Sequence, residues 1–450
     1  MSETRETFKA LIKLSLPAVM QQLMGTLLQY VDTAMVGHLG EAATASVSTS
    51  TTVNWLVHSI PYGLTVGLLS TLSQACGRGD RDEMKKLAAM GSRLSLWLGL
   101  ALTAVCLGIS PFLPTWMQAA EEIRQPASAY FFVVSLSLVF SVTGGMFASA
   151  LHAVKDTRTP MIINLSANAL NVVLNYLFIY RASLGVMGAA YATAVSTALC
   201  GIVMFLVFRH KETLRFGRED YFSTDREKLR KLLRVGLPVM ATSGVSCSGY
   251  IVFAGMVNGM GVTTFAAHSI AVTAEEIFYL PGYGIRTASS ALIGSSVGEG
   301  NRRKFRDTRR QSILLTASVM TVSGLILFFA AYPLMKLFTN SETVAQMGAT
   351  VLRMVAFSEP FFGLMVSWEG ISYGTGRTRS VFIIEALSMW GVRILCTFLV
   401  IHAGMGLTAV WWCMIADNVT KAVLLTLVGV RQIEKHLFTQ KSIQPKEVCL

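Results

Sequence analysis

Residues 11–40, LIKLSLPAVMQQLMGTLLQYVDTAMVGHLG, decide the fold. They read as one hydrophobic helix long enough to cross a membrane, and they carry a single carboxylate, Asp32, near the far end. A charged Asp near a bilayer centre costs roughly 2.5–3.5 kcal/mol on insertion scales, so it is expected to face a partner or an aqueous cavity. Steps of three and four back from Asp32 reach Gln29, Leu28, Gly25, Gln22 and Gln21, a polar and small-residue strip on the acid's side of the helix. This strip reads as facing a pore or cavity, with Gln29 a candidate lining residue. The alternative is an acid at the interface that snorkels into the headgroups, with Gly37 and His38 soon after it.

The rest of the chain has the same character. Of its 450 residues 52% are hydrophobic and only 14% charged, against about 25% charged in soluble domains, so the composition is that of a membrane protein. The seven cysteines, at 76, 106, 200, 247, 396, 413 and 449, form no CxxC pair and no His/Cys cluster at metal spacing. They read as small apolar fillers of membrane helices. The first apolar run is too long for a signal-peptide core and lacks a small-residue cleavage site, so the first helix is expected to be retained. The net charge of +12 is explained by location rather than by a nucleic-acid partner: thirty of the 38 Lys and Arg fall in alternate loops and the two termini. That is the positive-inside bias, and it predicts a multi-pass cell-membrane protein with both termini in the cytoplasm.

Apolar segments sufficient to span the hydrocarbon core run over 10–36, 46–75, 88–112, 127–152, 160–180 and 185–208, then over 231–258, 265–297, 309–338, 345–372, 380–402 and 406–430. The prediction is an all-α membrane protein of twelve transmembrane helices, with a six-helix lobe over 1–208, a basic cytoplasmic linker over 209–230, a second six-helix lobe over 231–430 and a tail over 431–450. The lobes are related by an offset of 221 residues. It carries Pro17 to Pro238, Gly40 to Gly261, Tyr62 to Tyr283, Gly63 to Gly284, Gly77 to Gly298, Arg158 to Arg379 and Gly185 to Gly406, and it aligns LIKLSLP with LLRVGLP without a gap. Chance glycine matches would not hold register over that distance. Six crossings return the chain to its starting side, so the repeats are parallel and pseudo-symmetric about an axis along the membrane normal, with a central cavity expected between them.

Polar residues inside these segments are the candidates for function. Asn54, His58 and Tyr62 recur at spacings of four in the second helix, either lining the cavity or bonding neighbouring helices. Asn164, Asn168, Asn171 and Asn175 form a ladder of amides in the fifth helix, and Thr193 adds a hydroxyl in the sixth. An Asp, two amide oxygens and a hydroxyl make an oxygen site for Na⁺ or a proton relay. The position matching Asp32 in the second half is Phe253, but that half has Glu275 and Glu276, Arg286, Glu359 and Arg393 inside its helices. Mixed signs read equally as an ion-pair network that fixes packing and as cavity-lining transport residues. Glu369 and Glu385 fall nearer the cytoplasmic ends and read as interfacial, and Asp417 with Lys421 at i+4 as a local salt bridge. The sequence contains no GxxxxGK[ST] or HExxH, so an enzyme is not expected, and the sequons at Asn164 and Asn418 lie within membrane segments.

Taken together, LPAVMQQLMGTLLQYVDTAMVGHLG, QACGRGD, KDTRTPMIINLSANALNVVLNYLFI, LGVMGAAYAT, AAHSIAVTAEEIFYLPGYG and VGEGN resemble the multidrug and toxic compound extrusion (MATE) transporters over nearly the full length. The resemblance implies an antiporter that exports cationic or amphipathic drugs in exchange for Na⁺ or H⁺ by rocking of two lobes, without a cofactor. Where the first-helix Asp is central in that family, the cation site adds an Asn and an Asp four apart in the fifth helix and a Thr in the sixth. Asp32, Asn171 and Thr193 match, whereas Asn175 stands where the second acid would be, with one negative charge and one proton acceptor fewer. Pro17 matches the first-helix proline at which members are proposed to bend, although a proline equally makes a static kink. Other branches place essential acids in the seventh helix, which has none here, and in the tenth, where Glu359 lies; Glu275 matches the acid of a TAExxxxxPGxG pattern. The candidate set is therefore Asp32, Asn171, Asn175, Thr193, Glu275 and Glu359 for coupling, with Asp32, Asn171 and Thr193 holding Na⁺. Gln29, Asn54, His58, Tyr62, Arg286 and Arg393 are the candidates for the substrate cavity, and Pro17 for a hinge. Partners are expected to be small organic cations or amphipathic drugs and membrane lipid, with the chain a monomer. A lipid-linked-sugar or lipid flippase of similar architecture is the nearest alternative, carried by Arg286 and Arg393; an intramembrane enzyme is a more distant one.

Overall fold

The computed structural model describes residues 2–222 and 225–437, and among them every regular element is helical. The first repeat comprises α1 (Ser2–Gly37), α2 (Glu41–Arg78), α3 (Arg81–Ile109), the single turn α4 (Leu113–Trp116), the consecutive α5 (Glu121–Leu136) and α6 (Leu138–Ala153), α7 (Arg158–Asn175) and α8 (Gly185–His210). The linker contains a short helix, α9 (Arg218–Phe222). The second repeat follows with α10 (Arg226–Asn258), α11 (Val262–Gly298), α12 (Arg302–Phe338), the consecutive α13 (Glu342–Ala356) and α14 (Glu359–Thr375), α15 (Thr378–Ser388), α16 (Leu395–His402) and α17 (Leu407–Leu437). Six-residue π-helical turns, Tyr176–Arg181 and Met389–Ile394, extend α7 and join α15 to α16. The segment read as a linker thus holds the end of α8, α9 and the start of α10, with residues 223 and 224 outside the described set. The tail begins inside α17, and its residues from 438 onward lie outside the described set.

These helices make twelve crossings, six in each repeat. Eight are long and apolar enough to span singly, and the pairs α5–α6 and α13–α14 add two spans bent by 42° and 54°. The remaining two are α2 and α11, of 38 and 37 residues, whose hydropathy is diluted by small polar side chains and, in α11, by His268, Glu275, Glu276 and Arg286. In α11 several of these, Ser289, Ser290, Ser295 and Ser296, are turned into the protein rather than to lipid.

The two bends are one feature made twice. At the first, Ser137 N donates to Val134 O at 3.1 Å and Ser141 N to Ser137 O at 3.1 Å; 221 residues later Ser358 N donates to Val355 O at 2.7 Å and Phe362 N to Ser358 O at 2.9 Å. An i→i−3 bond tightens the turn at each break and ends the preceding helix. Proline explains only one of them, because Pro360 follows the second break where Val139 stands at the first.

The described chain forms two compact units. One holds the chain up to Val19, Ser73–Asp80 and everything from Gly244 onward; the other holds Met20–Leu72 and Arg81–Ser243. Each unit therefore combines most of one repeat with the opening segment of the other repeat's first helix. Glycines show why those segments fit. A Cβ on Gly63 of α2 would lie 2.5 Å from Gly236 O and 2.7 Å from Met240 N of α10, and one on Gly284 of α11 would lie 2.6 Å from Val19 N of α1. Gly63 and Gly284 correspond under the 221 offset, as do Val19 and Met240, so the same backbone approach occurs once in each unit. Gly284→Val is expected to cost about 1–3 kcal/mol by overpacking, read as a lowered unfolding temperature in detergent. Gly244→Ala, on an α10 face with nothing within 4 Å of the added carbon, is the near-neutral control.

The turn between α6 and α7 is held by an ion pair outside the membrane spans. Asp156 accepts from Lys211 Nζ at 2.6 Å, from Thr159 N at 3.2 Å and from Thr159 Oγ1 at 3.1 Å. Partial burial opposes ionisation there, but the bonds from Lys211 and Thr159 outweigh it and hold the carboxyl below the ordinary Asp range. A depressed carboxylate contributes stability that is complete above its unfolded value of about 3.9 and is lost as the pH falls through the lower folded value. Asp156→Ala is accordingly expected to lose about 1 kcal/mol near neutral pH, as capping residues do, and to show no further loss in that acid window. Unfolding midpoints of both proteins across pH 3–7 measure this, pH 3 being roughly a unit below the unfolded Asp value.

Candidate functional site

The end of α1 is set in place by a small apolar cluster in which Val36 packs with Tyr130, Ile179, Ala189 and Ala190. Tyr180 of the π turn donates to Met35 O at 2.9 Å, which fixes α1 against the extension of α7. Asp32, one turn before Val36, thereby meets the amides of α7. Asn175 Nδ2 donates to Asp32 Oδ1 and also to Asn171 Oδ1, the latter at 3.2 Å. Asn171 Nδ2 in turn donates to Ser196 Oγ at 3.2 Å and, more weakly, to Thr193 Oγ1 at 3.4 Å on α8. Asp32, Asn175, Asn171, Thr193 and Ser196 form one connected polar chain inside the first-repeat unit. Among the described residues the donor to Asp32 is a neutral amide rather than a Lys or Arg. Asn175 is fully buried and its Oδ1 has no hydrogen-bond partner among the described residues.

Ser196 is the member of this chain that the sequence candidates omit, although it lies three residues after Thr193 and so shares its face. The rest of the asparagine ladder does not join in the same way. Asn164 turns back to Pro160 O at 2.8 Å, and Asn168 lies beside Gly25 of α1. In α2, His58 Nδ1 bonds Asn54 O at 2.8 Å and Nε2 bonds Ser141 Oγ at 3.2 Å, while Gln29 is exposed and Asn54 and Tyr62 are half-buried. The 221 offset carries Asn54, His58 and Tyr62 to Glu275, Tyr279 and Tyr283. It also converts the His58–Ser141 bond into the Tyr279–Phe362 ring contact, 5.6 Å between centroids. The strip is thus a position-by-position repeat with different chemistry.

The second-repeat unit is rich in buried charge. Glu359 opens α14 at the bend, is 2% exposed, and has an Oε2 without a hydrogen-bond partner among the described residues. Gly324 of α12 makes its room: a Cβ there would lie 3.0 Å from that of Glu359. Glu275 is also buried, within electrostatic reach of both Glu359 and Arg393. Arg286 pairs with Glu369 beneath the ring of Tyr283. Arg393 pairs with Asp417 at 2.8 Å, and Lys421 bridges Asp417 at 3.0 Å and Glu385 at 2.9 Å, with Ser388 and Ser246 donating to the two acids at 2.6 Å. Glu369 and Glu385 are therefore not interfacial, as their places near the helix ends suggest. Both are buried because α14 and α15 pack inside the unit, and each holds a cation brought by another helix. The local Asp417–Lys421 bridge is present as one edge of this larger network. The guanidinium groups of Arg286 and Arg393 are both engaged by carboxylates, the packing alternative for these two residues.

Two six-helix repeats with ionisable side chains held inside the helical layer constitute the architecture of secondary transporters. Comparison with known proteins gives the family. The MatE profile matches residues 17–177 and again 238–399, with starts 221 apart, and the chain belongs to the MatE family of efflux transporters. Among its relatives is "Probable multidrug resistance protein NorM" of Thermotoga maritima, 30% identical, with 94% of this chain and 92% of the relative aligned. The protein of the same name from Photorhabdus laumondii is 24% identical over 94% and 96% of the two chains. Solved structures with the same fold include an outward-facing multidrug resistance MATE family transporter of the MOP superfamily (TM-score 0.91, 24% identity, 97% of both chains). Another is a point mutant of the Vibrio cholerae MATE transporter VcmN (TM-score 0.92, 18% identity, 98% and 100% of the chains).

Proposed function

We propose that the protein is an antiporter that exports cationic or amphipathic small molecules across the cell membrane in exchange for Na⁺ or H⁺, with Asp32 as its principal coupling acid. The observation that carries this reading is the pairing of Asp32 with a neutral amide donor. An amide partner stabilises the carboxylate without neutralising it, so a proton, Na⁺ or a cationic drug can still compete for it. For Na⁺, the oxygen donors at hand are the Asp32 carboxylate, the buried Asn175 Oδ1, Asn171 Oδ1 and the hydroxyls of Thr193 and Ser196. Amides cannot accept a second proton as an acid at position 175 would, so this set holds one exchangeable charge rather than two. Neutralising Asp32 turns the charge-assisted bond from Asn175 into a weaker neutral one while an oxygen remains to accept it, and a ligand that favours one arrangement of α1 against α7 shifts the population toward it.

Within this reading the lobes over 1–208 and 231–430 move about α1, whose residues divide between the two units two positions after Pro17, the proposed hinge. Gln29, Asn54, His58 and Tyr62 line the substrate path on the first-repeat side. Glu275 and Glu359 supply a second protonatable pair. The protein acts as a monomer with its termini and basic loops in the cytoplasm. Phosphate recognition by a flippase would draw on Arg286 and Arg393, which are held by Glu369 and Asp417 instead.

Expression in drug-hypersensitive cells tests the assignment. Energised cells are expected to accumulate several-fold less of a fluorescent organic cation, recovered chemically unchanged outside. Unchanged accumulation with a panel of such cations, or a modified product, contradicts export.

A further inference from the structure

Between α3, α6 and α8 the first-repeat unit holds a trench of about 740 Å³, away from Asp32 and its amides. Its walls are apolar, with Leu96 from α3, Phe140 and Phe147 from α6, and Ile202 and Phe205 from α8. Gly201 lets the helices close at its floor, where an added Cβ would lie 2.6 Å from Phe140 O. The linker covers one end. Arg93 Nη1 donates to Tyr221 O at 3.0 Å, which ties α9 to α3, and Phe216 stacks on Tyr221 with 6.0 Å between centroids. Arg209, 5.2 Å above the Phe216 ring, and Arg218 stand at this end, both exposed. The acids nearby are Glu212, Glu219 and Asp220, and Asp220 Oδ2 is engaged by Gly217 N at 3.0 Å. Leu96, Ile202 and Phe205 remain 38–43% exposed on helices that span the bilayer, so the groove opens toward lipid.

An apolar groove of this size with two guanidiniums at one end fits a ligand with a long hydrocarbon tail and a compact anionic head; arginine forks bind phosphate in two-point geometry. We propose that the trench binds one acidic phospholipid from the leaflet that meets the linker, its phosphate at Arg209 and Arg218 and an acyl chain along Ile202 and Phe205. The linker between the two repeats is then pinned to the membrane surface by a bound lipid. This does not depend on the export reading.

Native mass spectrometry of the full chain, released from micelles containing equal amounts of palmitoyl-oleoyl phosphatidylglycerol and phosphatidylcholine, tests it. One phosphatidylglycerol is expected to be retained with a preference of about fivefold per contacting arginine. Arg218→Gln should lower that preference about fivefold, and Ile202→Trp, which fills the groove, should reduce retention of this lipid altogether; both should unfold at the wild-type temperature. Glycerophosphoglycerol, the headgroup without chains, should not displace it. Equal retention of the two lipids by the wild type, or wild-type retention by both variants, or displacement by the free headgroup, overturns the assignment.

Discussion

Asp32→Asn is expected to lower ion-driven transport by at least about tenfold while the protein folds and unfolds as the wild type does. Tenfold corresponds to about 1.4 kcal/mol, inside the 1–3 kcal/mol range of coupling between sites. The substitution keeps an Oδ1 to accept from Asn175 Nδ2, so the chain of bonds through Asn171 to Thr193 and Ser196 keeps its partners. It removes the charge for which, in the proposed function, a proton, Na⁺ and a cationic drug compete. Asp32→Ala, which removes the acceptor too, should lose transport and also some stability, because Asn175 is fully buried and would be left with both an unpaired Nδ2 hydrogen and an unpaired Oδ1. A detergent unfolding curve for each variant beside its transport rate separates the two effects.

The largest loss of stability is expected from Asp417→Ala. Asp417 is 0% exposed and answers Arg393, Lys421 and Ser388 together. Lys421 keeps Glu385 after the substitution, but Arg393, itself 2% exposed, keeps Asn418 Oδ1 at 3.2 Å and the rings of Tyr250 and Phe253. Removing one member of a buried pair costs about 3–5 kcal/mol, chiefly because it strands the other charge. Replacing Asp417 and Arg393 together by Leu and Met should recover much of that loss, since neither charge is then stranded. A single variant that unfolds within about 1 kcal/mol of the wild type would mean that water reaches Arg393 and the network is not sealed.

Much of the fold is legible in the sequence because it is periodic twice over. The spacing of apolar runs marks the crossings, the basic loops mark their expected sides, and the 221 offset marks the repeat. The bends at Ser137 and Ser358 are not legible, since one lacks a proline and the determining feature is an i→i−3 bond between backbone groups. Nor is the exchange of the opening segments of α1 and α10, which rests on close backbone approach at Gly63 and Gly284; the glycines are visible, but not what they face. At the candidate site, Asp32, Asn171, Asn175 and Thr193 stand out by residue type and spacing, and the structure brings these four together. Ser196 does not stand out, because a serine in a membrane helix usually bonds its own backbone, as this one also does with Thr193 O at 3.1 Å. Glu369 and Glu385 read wrongly as interfacial because hydropathy shows where along a helix an acid lies but not which neighbour covers it.

The 221 offset also shows where the repeats part company. Asp32 corresponds to Phe253, which lies under the Arg393 guanidinium, and Glu359 corresponds to Leu138 at the first bend. Each half has an acid where the other is apolar, so the two halves share a scaffold and differ in the chemistry proposed for them.

Proteoliposomes with independently imposed Na⁺ and pH gradients give the most direct test that Asp32 couples ion movement to export. An outward gradient of the coupling ion is predicted to drive uptake of a fluorescent cation against its own gradient in the wild type, and not in Asp32→Asn. Uptake that persists when both gradients are collapsed, or that is equal in the two proteins, would contradict the account.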